Sequence, residues 1–212
     1  RKDDATFEKG VPALIRQAEV AAKLGITRCL TWIPPMTPIP PEERRRQVLP
    51  RFRKIYEVLD GAGIRFGIEF IGPKTLRKEG NVFMYTIEQG LELAAAIGPR
   101  AGLLVDSFHW YTSGATVRDL ENVPVEKIVH VHVNDAPNRP RDEQIDGERL
   151  LPGEGIIDLK GFLSVLKRRN YPGGVSVETF SKELKALPMA EAARRAKSAL
   201  SEVLGGVYKQ LG

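Results

Sequence analysis

The stretch Ile128-Val129-His130-Val131-His132-Val133-Asn134-Asp135 alternates apolar and polar side chains. This alternation predicts a β-strand in which Val129, Val131 and Val133 face one way while Ile128, His130, His132 and Asn134 face the other. Two of the three histidines of the chain lie on this second face. A strand covered by helices would bury its valines beneath them and direct both imidazoles into an interior space. We therefore expect a ligand site in that space.

Four further apolar runs indicate β-strands, and helical patterns separate them. The predicted strands cover residues 27–33, 64–71, 101–107, 128–135 and 174–180. The predicted helices cover residues 6–24, 42–59, 86–97, 159–169 and 186–204, with a short one near 117–120. Because each return to a parallel neighbour needs a crossover, this alternation favours an α/β fold with a parallel sheet. No linker divides the chain, so we predict a single domain over residues 1–212.

The composition is that of an ordinary globular chain and argues against several classes of function. Hydrophobic residues make up 42% and charged residues 28% of the chain, and the net charge is +5. The basic residues are mixed with acidic ones and form no block with aromatics, so we expect no nucleic-acid partner. No apolar run reaches the roughly 18 residues of a membrane span. Cys29 is the single cysteine, which favours a core position and a cytoplasmic location.

Four polar side chains lie near the carboxyl ends of four consecutive predicted strands: Glu69, Asp106, His132 and Glu178. In parallel α/β folds this end of the sheet binds ligands. Three carboxylates and one imidazole suit Mn²⁺, Mg²⁺, Co²⁺ or Zn²⁺, and crowded carboxylates repel one another without a cation. Each residue alone is readily explained as structural, but four on successive strands favour a metal site.

The segment after Asp106 supplies two candidates for substrate binding. His109 would lie just above the metal and could bind a substrate oxygen, and Trp110 could pack against a carbon face of the substrate. A loop histidine without such a role is the alternative. His130 lies one layer below His132, so we expect it to pack rather than to bind the ion.

The loops at the same end supply the remaining candidates. Lys74 could hold a substrate oxygen or phosphate, as could Arg139 or Arg141 in the charged loop 138–151. The length of that loop predicts a lid over the rim. Glu154 lies in the Pro152-Gly153-Glu154-Gly155 turn that follows and is a further candidate. Solvated loop side chains are the alternative for all of these residues.

Together these motifs resemble the xylose-isomerase-like TIM-barrel superfamily, and within it the sugar phosphate isomerase/epimerase group. The resemblance covers nearly the whole chain and rests on these segments: Ile68-Glu69-Phe70, Val105-Asp106-Ser107-Phe108-His109, 130–135, 152–158 and Val177-Glu178. Such barrels have eight strands, so the resemblance implies that the five predicted here correspond to strands four to eight. The first three βα units would then lie outside this sequence.

The resemblance also implies a function and roles for individual residues. It makes Glu69, Asp106, His132 and Glu178 the ligands of a divalent ion, with Mn²⁺ favoured, and His109 a substrate contact. Glu69 and Glu178 would also be the catalytic pair of a sugar, keto-sugar or polyol isomerase or epimerase. One carboxylate would remove the proton α to a carbonyl and the other would return it, while the metal holds the enediolate oxygens.

Other consequences of the resemblance remain open. The group has an arginine soon after the ligand histidine, and the nearest one here is Arg139, one residue from the expected position. An inosose-type dehydratase would use the same first step and then eliminate a hydroxyl group. An abasic-site endonuclease of this superfamily needs more histidines than the three present. We expect a small sugar or polyol as the partner, no membrane association, and leave a homo-oligomer open.

Overall fold

The computed structural model describes residues 3–208. Its centre is a sheet of five parallel strands in chain order: β1 (Arg28–Trp32), β2 (Arg65–Glu69), β3 (Gly102–Asp106), β4 (Ile128–Val133) and β5 (Val175–Val177). Helices alternate with these strands, and the sheet curls into part of a barrel. The predicted fold class, a parallel α/β barrel represented by five strands, is confirmed.

Eight α-helices lie within residues 3–208: α1 (Asp4–Lys23), α2 (Pro41–Gly61), α3 (Ile87–Ile97), α4 (Ser107–Thr112), α5 (Val117–Glu121), α6 (Leu159–Arg168), α7 (Lys182–Ala186) and α8 (Met189–Tyr208). The short helices α4 and α7 were not predicted. Neither was a small antiparallel ribbon in which Met36–Thr37 pairs with Asn81–Val82. The predicted lid loop contains the 3₁₀ turns Arg141–Glu143 and Asp146–Glu148.

Local sequence signals fix where the helices begin. Asp3 caps α1 by accepting a hydrogen bond from the amide of Thr6 at 2.8 Å. Thr86 and Gln89 form a capping box at the start of α3, which satisfies amide groups that the helix itself leaves unpaired. These caps determine the residue at which each of the two helices begins.

The main core lies between the sheet and the helices. Phe66, Ile68 and Phe70 alternate along and just after β2 and are at most 1% exposed. They pack in one cluster with Val131 and Val133 of β4, as the alternation of that strand predicted. Burying side chains of this size is the main source of stability for such a sheet. Glu69 and His132 lie on the opposite face, near the carboxyl ends of their strands.

The start of β4 departs from the predicted alternation. The pairing with β3 shifts by one residue between Leu103 and Leu104, so that Val129 becomes the extra residue of a β-bulge. The side chain of Val129 therefore lies against Gly67, where a Cβ would meet the valine Cβ at 3.0 Å. Ile128 joins the main core in its place. The predicted orientation was wrong for these two residues because a bulge reverses the facing of the strand.

Two further sequence features can be located. Cys29 is half-buried and packs against the core, and burial raises the pKa of its thiol. Within residues 3–208, none of the helices combines the length and the apolar character that crossing a membrane requires.

Candidate metal centre and pocket

The four predicted ligands converge at the carboxyl end of the sheet. Glu69 and Asp106 are the last residues of β2 and β3, His132 lies near the end of β4, and Glu178 directly follows β5. One potential ligand atom from each residue lies within 4.8 Å of those of the others. Parallel strands in register produce this convergence, because their ends form a common rim.

The imidazole of His132 is central to this cluster. Its Nδ1 lies 3.9 Å from Glu69 Oε1, 3.8 Å from Asp106 Oδ2 and 3.5 Å from Glu178 Oε2. Both His132 Nδ1 and Glu69 Oε1 are buried without a hydrogen-bond partner. Unpaired buried polar atoms are costly, and a divalent cation would satisfy both at once. The donor set and these two atoms therefore fit a metal ion.

Asp106 is held by both of its carboxylate oxygens. Its Oδ1 caps α4 by accepting hydrogen bonds from the amides of Phe108 (2.7 Å) and His109 (3.2 Å). Its Oδ2 accepts from Asn134 Nδ2 at 2.9 Å and from Arg149 Nη1 at 3.0 Å. The carboxylate is completely buried. Its position in the cluster is therefore set by four donors.

Arg149, which was not among the predicted site residues, lies beside the cluster. Its Nη1 also donates to Glu178 Oε2 at 2.6 Å, and its Nη2 donates to Asp146 Oδ1 at 2.7 Å. The side chain is only 2% exposed. Burial would lower its pKa, but the carboxylates of Asp106 and Asp146 outweigh burial and raise the pKa. Arg149 therefore stays charged and neutralises part of the acidic cluster.

A backbone bridge places Arg149 over the rim. Asp135 and Leu150 pair in antiparallel fashion, with N–O distances of 3.0 and 2.9 Å. The Asp135 carboxylate also accepts hydrogen bonds from the amides of Gly153 and Ile157 and so fixes the end of the loop. The signal in the sequence is an arginine directly before Leu150 and Leu151 in an otherwise charged loop. An apolar pair of this kind indicates that the loop turns back to the core.

The two glutamates of the cluster titrate in opposite directions. Burial, followed by the charges of Asp106 and Glu178, raises the pKa of Glu69 to about 9. The imidazole of His132, 3.5 Å from its Oε2, and the charge of Arg149 lower the pKa of Glu178 to about 2. Carboxyl groups whose pKa values are driven apart in one site are typical of acid–base pairs.

His109 lies beside the cluster and is completely buried. Its Nδ1 accepts a hydrogen bond from the amide of Gly72 at 3.3 Å, and its Nε2 lies 2.9 Å from Arg149 Nη2 and 4.0 Å from Glu69 Oε1. Gly72 permits this approach, since a Cβ there would lie 2.3 Å from the His109 carbonyl oxygen. Burial lowers the pKa of His109 to about 3, so the ring is neutral.

Trp110 points away from the cluster. Its indole N–H donates to the Thr116 carbonyl at 3.0 Å, and its ring packs on Phe162 at a centroid distance of 5.2 Å. Because α4 begins at Ser107, successive side chains are rotated by about 100° around the helix. His109 and Trp110 therefore cannot both face the site, and the structure brings only His109 to it.

Three other predicted substrate contacts lie on the outer surface of the loops. The Nζ of Lys74 is 2.5 Å from Asp142 Oδ2, and both side chains are about 60% exposed. Arg139 forms an ion pair with Glu148. Glu154 is exposed and accepts a hydrogen bond from the Leu151 amide at 3.1 Å. The structure does not bring these three side chains to the four ligands.

A pocket of about 620 Å³ borders the cluster. Its polar side consists of Glu69, His109, Asp146, Arg149 and Glu178. Its other side is apolar and includes Trp32, Ile71, Leu76 and Phe180. A small molecule with polar edges and a carbon face fits a pocket with this division.

The sequence is similar to those of known enzymes. The family described as xylose isomerase-like TIM barrel matches residues 1–202. An inosose isomerase from Halalkalibacterium halodurans is 30% identical over 206 residues, which cover 96% of this chain and 71% of the relative. The inosose isomerase of Bacillus subtilis is 28% identical over 168 residues, 79% of this chain and 58% of the relative. A 3-dehydroshikimate dehydratase from Pseudomonas aeruginosa is 37% identical over 89 residues, 41% of this chain and 14% of the relative.

Solved structures agree with the fold. A xylose isomerase domain protein from Alicyclobacillus acidocaldarius matches with a TM-score of 0.88 and 31% identity, over 96% of this chain and 73% of that one. The IolI protein with a bound zinc atom matches with a TM-score of 0.83 and 25% identity, over 98% of this chain and 73% of that one. The chain thus spans about three quarters of each of these structures.

Proposed function

Because the chain belongs to the xylose isomerase-like TIM-barrel family, we propose that it is a divalent-metal-dependent isomerase or epimerase of a sugar, keto-sugar or polyol. The observation that carries the proposal is the cluster of Glu69, Asp106, His132 and Glu178, with ligand atoms within 4.8 Å of one another and two of them buried and unpaired. The similarity to inosose isomerases also supports an isomerase function.

The four clustered side chains would hold the ion. Mn²⁺ suits an oxygen-rich set of three carboxylates and one imidazole, and the zinc in one similar structure supports a divalent ion. When bound, such an ion polarises a carbonyl group and stabilises negative charge on its oxygen. We propose Mn²⁺ as the ion, with Mg²⁺, Co²⁺ and Zn²⁺ as alternatives.

Glu69 and Glu178 would transfer the protons. Both line the pocket, so both can approach the carbon next to a substrate carbonyl. One carboxylate removes the proton from this carbon, and the other returns a proton to the same or the neighbouring position. The neighbouring His132 and the charge of Arg149, 2.6 Å from Glu178, keep that carboxyl group ionised, which is the form that can accept a proton.

His109 and Arg149 would position the substrate. The neutral ring of His109 and the guanidinium of Arg149 line the same pocket as the two glutamates. The ring N–H of His109 can donate to a substrate oxygen, while Arg149 donates to Asp106, Asp146 and Glu178 and so holds these carboxylates in place around the substrate. Lys74, Arg139, Glu154 and Trp110 have no part in this arrangement.

A dehydratase is the second candidate function. The similarity to a 3-dehydroshikimate dehydratase supports it, over a region of 89 residues. A lyase would use the same proton abstraction and then lose a hydroxyl group from the adjacent carbon. The two functions therefore share their first step and differ in the product.

Exchange in D₂O tests the shared step. The protein is loaded with Mn²⁺ and incubated with ketoses, aldoses and inososes, and deuterium at the carbon next to the carbonyl is measured by NMR. We expect uptake with at least one compound and a loss of about 10³-fold in Glu69→Gln and Glu178→Gln. Glu143→Gln, an exposed residue of the lid loop, is the control and should exchange normally.

The products then separate the two candidates. A product with the same molecular formula as the substrate identifies an isomerase or epimerase. A product that has lost one water molecule identifies a dehydratase. An absence of exchange with every compound, in protein shown to bind Mn²⁺, would contradict the proposal.

A further inference from the structure

Asp146 belongs to the lid loop, lines the pocket and has no role in the mechanism above. Its Oδ1 accepts a hydrogen bond from Arg149 Nη2 at 2.7 Å and lies 3.8 Å from His109 Nε2. The side chain is 28% exposed and lines the pocket. Its second oxygen, Oδ2, has no partner among residues 3–208, so it is free to accept a hydrogen bond from a molecule in the pocket.

The charge around Arg149 disfavours an anion in the pocket. Its guanidinium contacts three carboxylates, those of Asp106, Asp146 and Glu178. With Glu69, four carboxyl groups surround one arginine, and a divalent ion would contribute only two further positive charges. The pocket therefore has no excess positive charge with which to bind a phosphate or carboxylate group.

The basic side chains that the sequence suggested for substrate binding at the rim do not supply this charge. In the described part of the chain, three basic groups of the two neighbouring loops already contact other side chains. Lys74 pairs with Asp142, Arg139 pairs with Glu148, and Arg141 stacks on Tyr111 at 4.9 Å from its ring centroid. Arg149 is the only lysine or arginine that lines the pocket in that part of the chain. Anion recognition usually depends on an arginine fork that is free to engage the ligand.

We propose that Asp146 is a specificity-determining residue that admits uncharged polyhydroxy carbonyl compounds and rejects phosphorylated or carboxylated ones. The proposal rests on the proposed function, since it concerns the substrate of the same site. Asp146 Oδ2 accepts a hydrogen bond from a substrate hydroxyl, and its charge repels an anionic group at the same position. The apolar side of the pocket, with Trp32 and Phe180, contacts the carbon face of the substrate.

Two six-membered ring ketones test this directly. An inosose is uncharged, and 3-dehydroshikimate carries a carboxylate. With the Mn²⁺-loaded protein, kcat/KM for proton exchange should favour the inosose by at least about 100-fold. Fructose and fructose 6-phosphate form a second pair that differs by a phosphate and should show the same order.

Variants at residue 146 assign the preference to Asp146. Asp146→Asn keeps an oxygen for Arg149 but removes the charge, so the preference for the uncharged compound should fall about tenfold, through a lower KM for the anionic one. Asp146→Glu should restore the preference. Glu143→Gln removes a charge from the same loop outside the pocket and should leave the preference unchanged.

The outcomes separate this inference from the proposed function. Exchange that is equal or faster with the anionic compounds overturns the role of Asp146 and leaves the proposed function intact. An equal loss of kcat/KM for both compounds in Asp146→Asn also overturns it, because Asp146 would then only hold Arg149. Exchange with no compound at all would overturn the proposed function and this inference with it.

Discussion

The two histidines of β4, His130 and His132, lie on the same face of the strand in adjacent layers, but their neighbours are very different. In the upper layer, His132 Nδ1 is surrounded at 3.5–3.9 Å by three carboxylates and has no hydrogen-bond partner. In the lower layer, His130 Nε2 lies 2.7 Å from Ser176 Oγ and is thereby paired. The two rings are 5.4 Å apart.

The difference shows that depth along the strand, rather than residue type, determines the role. The carboxylates come from the last residues of neighbouring strands, so they surround only the upper ring. One layer below, β5 offers the hydroxyl of Ser176, and burial lowers the pKa of His130. The upper layer is therefore suited to a cation and the lower layer to a neutral, hydrogen-bonded imidazole.

Substitution of each histidine tests this contrast most strongly. His132→Ala should weaken Mn²⁺ binding at least about 100-fold, because the cluster loses a ligand. His130→Asn should change the affinity by less than about threefold, since the ring of His130 contacts Ser176 rather than the three carboxylates. Affinities are measured by calorimetry or by competition with a chelating dye. Similar losses in the two variants would remove the distinction between the layers.

The pH dependence of metal binding sharpens the contrast further. Glu69 holds a proton below its pKa of about 9, and binding of a cation must release it. The affinity for Mn²⁺ should therefore rise up to about tenfold for each pH unit between pH 6 and 8. His130→Asn should keep this slope, and Glu69→Gln should lose it. Calorimetry in buffers of different ionisation enthalpy counts the released proton, and a count of zero would contradict the prediction.

The smallest expected effect concerns stability in the presence of a chelator. The folded protein raises the pKa of Glu69 from 4.5, so its contribution to the free energy of unfolding is complete below pH 4.5 and is lost as pH rises toward 9. Glu69→Gln stays uncharged. The stability of this variant relative to the wild type should therefore increase by more than about 1 kcal/mol between pH 5 and 8.

Urea denaturation at the two pH values measures the change. The contribution of Glu178 to the free energy of unfolding depends on pH in the opposite direction. Its pKa is lowered, so this contribution is lost only as pH falls through 4.5 toward 2. Glu178→Gln should show no comparable gain between pH 5 and 8. A gain of the same size in both variants would mean that the two carboxyl groups are equivalent.

The strand ends could be predicted from sequence because the relevant signals are local. Alternation gave the facing of Glu69 within β2, and the switch to helical periodicity gave the end of each strand. The bulge at Val129 could not be predicted, since it depends on the register with β3. That residues 1–212 form a single domain stays a prediction.

The substrate-contacting side chains were harder to predict. The resemblance implied an arginine soon after His132, for which Arg139 was the nearest candidate, whereas Arg149 lies at the cluster. The loop between them follows two 3₁₀ turns and a bridge, and its path depends on tertiary contacts rather than on periodicity. Trp110 was placed at the pocket because α4, which turns it away, is too short to leave a periodic signal.

The four donors that hold Asp106 have a consequence for the choice of ion. A carboxylate fixed in this way cannot rotate to follow an ionic radius, whereas Glu69 and Glu178 have longer side chains and fewer fixed atoms. When ions of different size bind, the side chains of Glu69 and Glu178 must therefore move to adjust the distances to the ion. Since these are the proposed proton carriers, exchanging one metal for another should alter the rate of turnover more than the strength of binding.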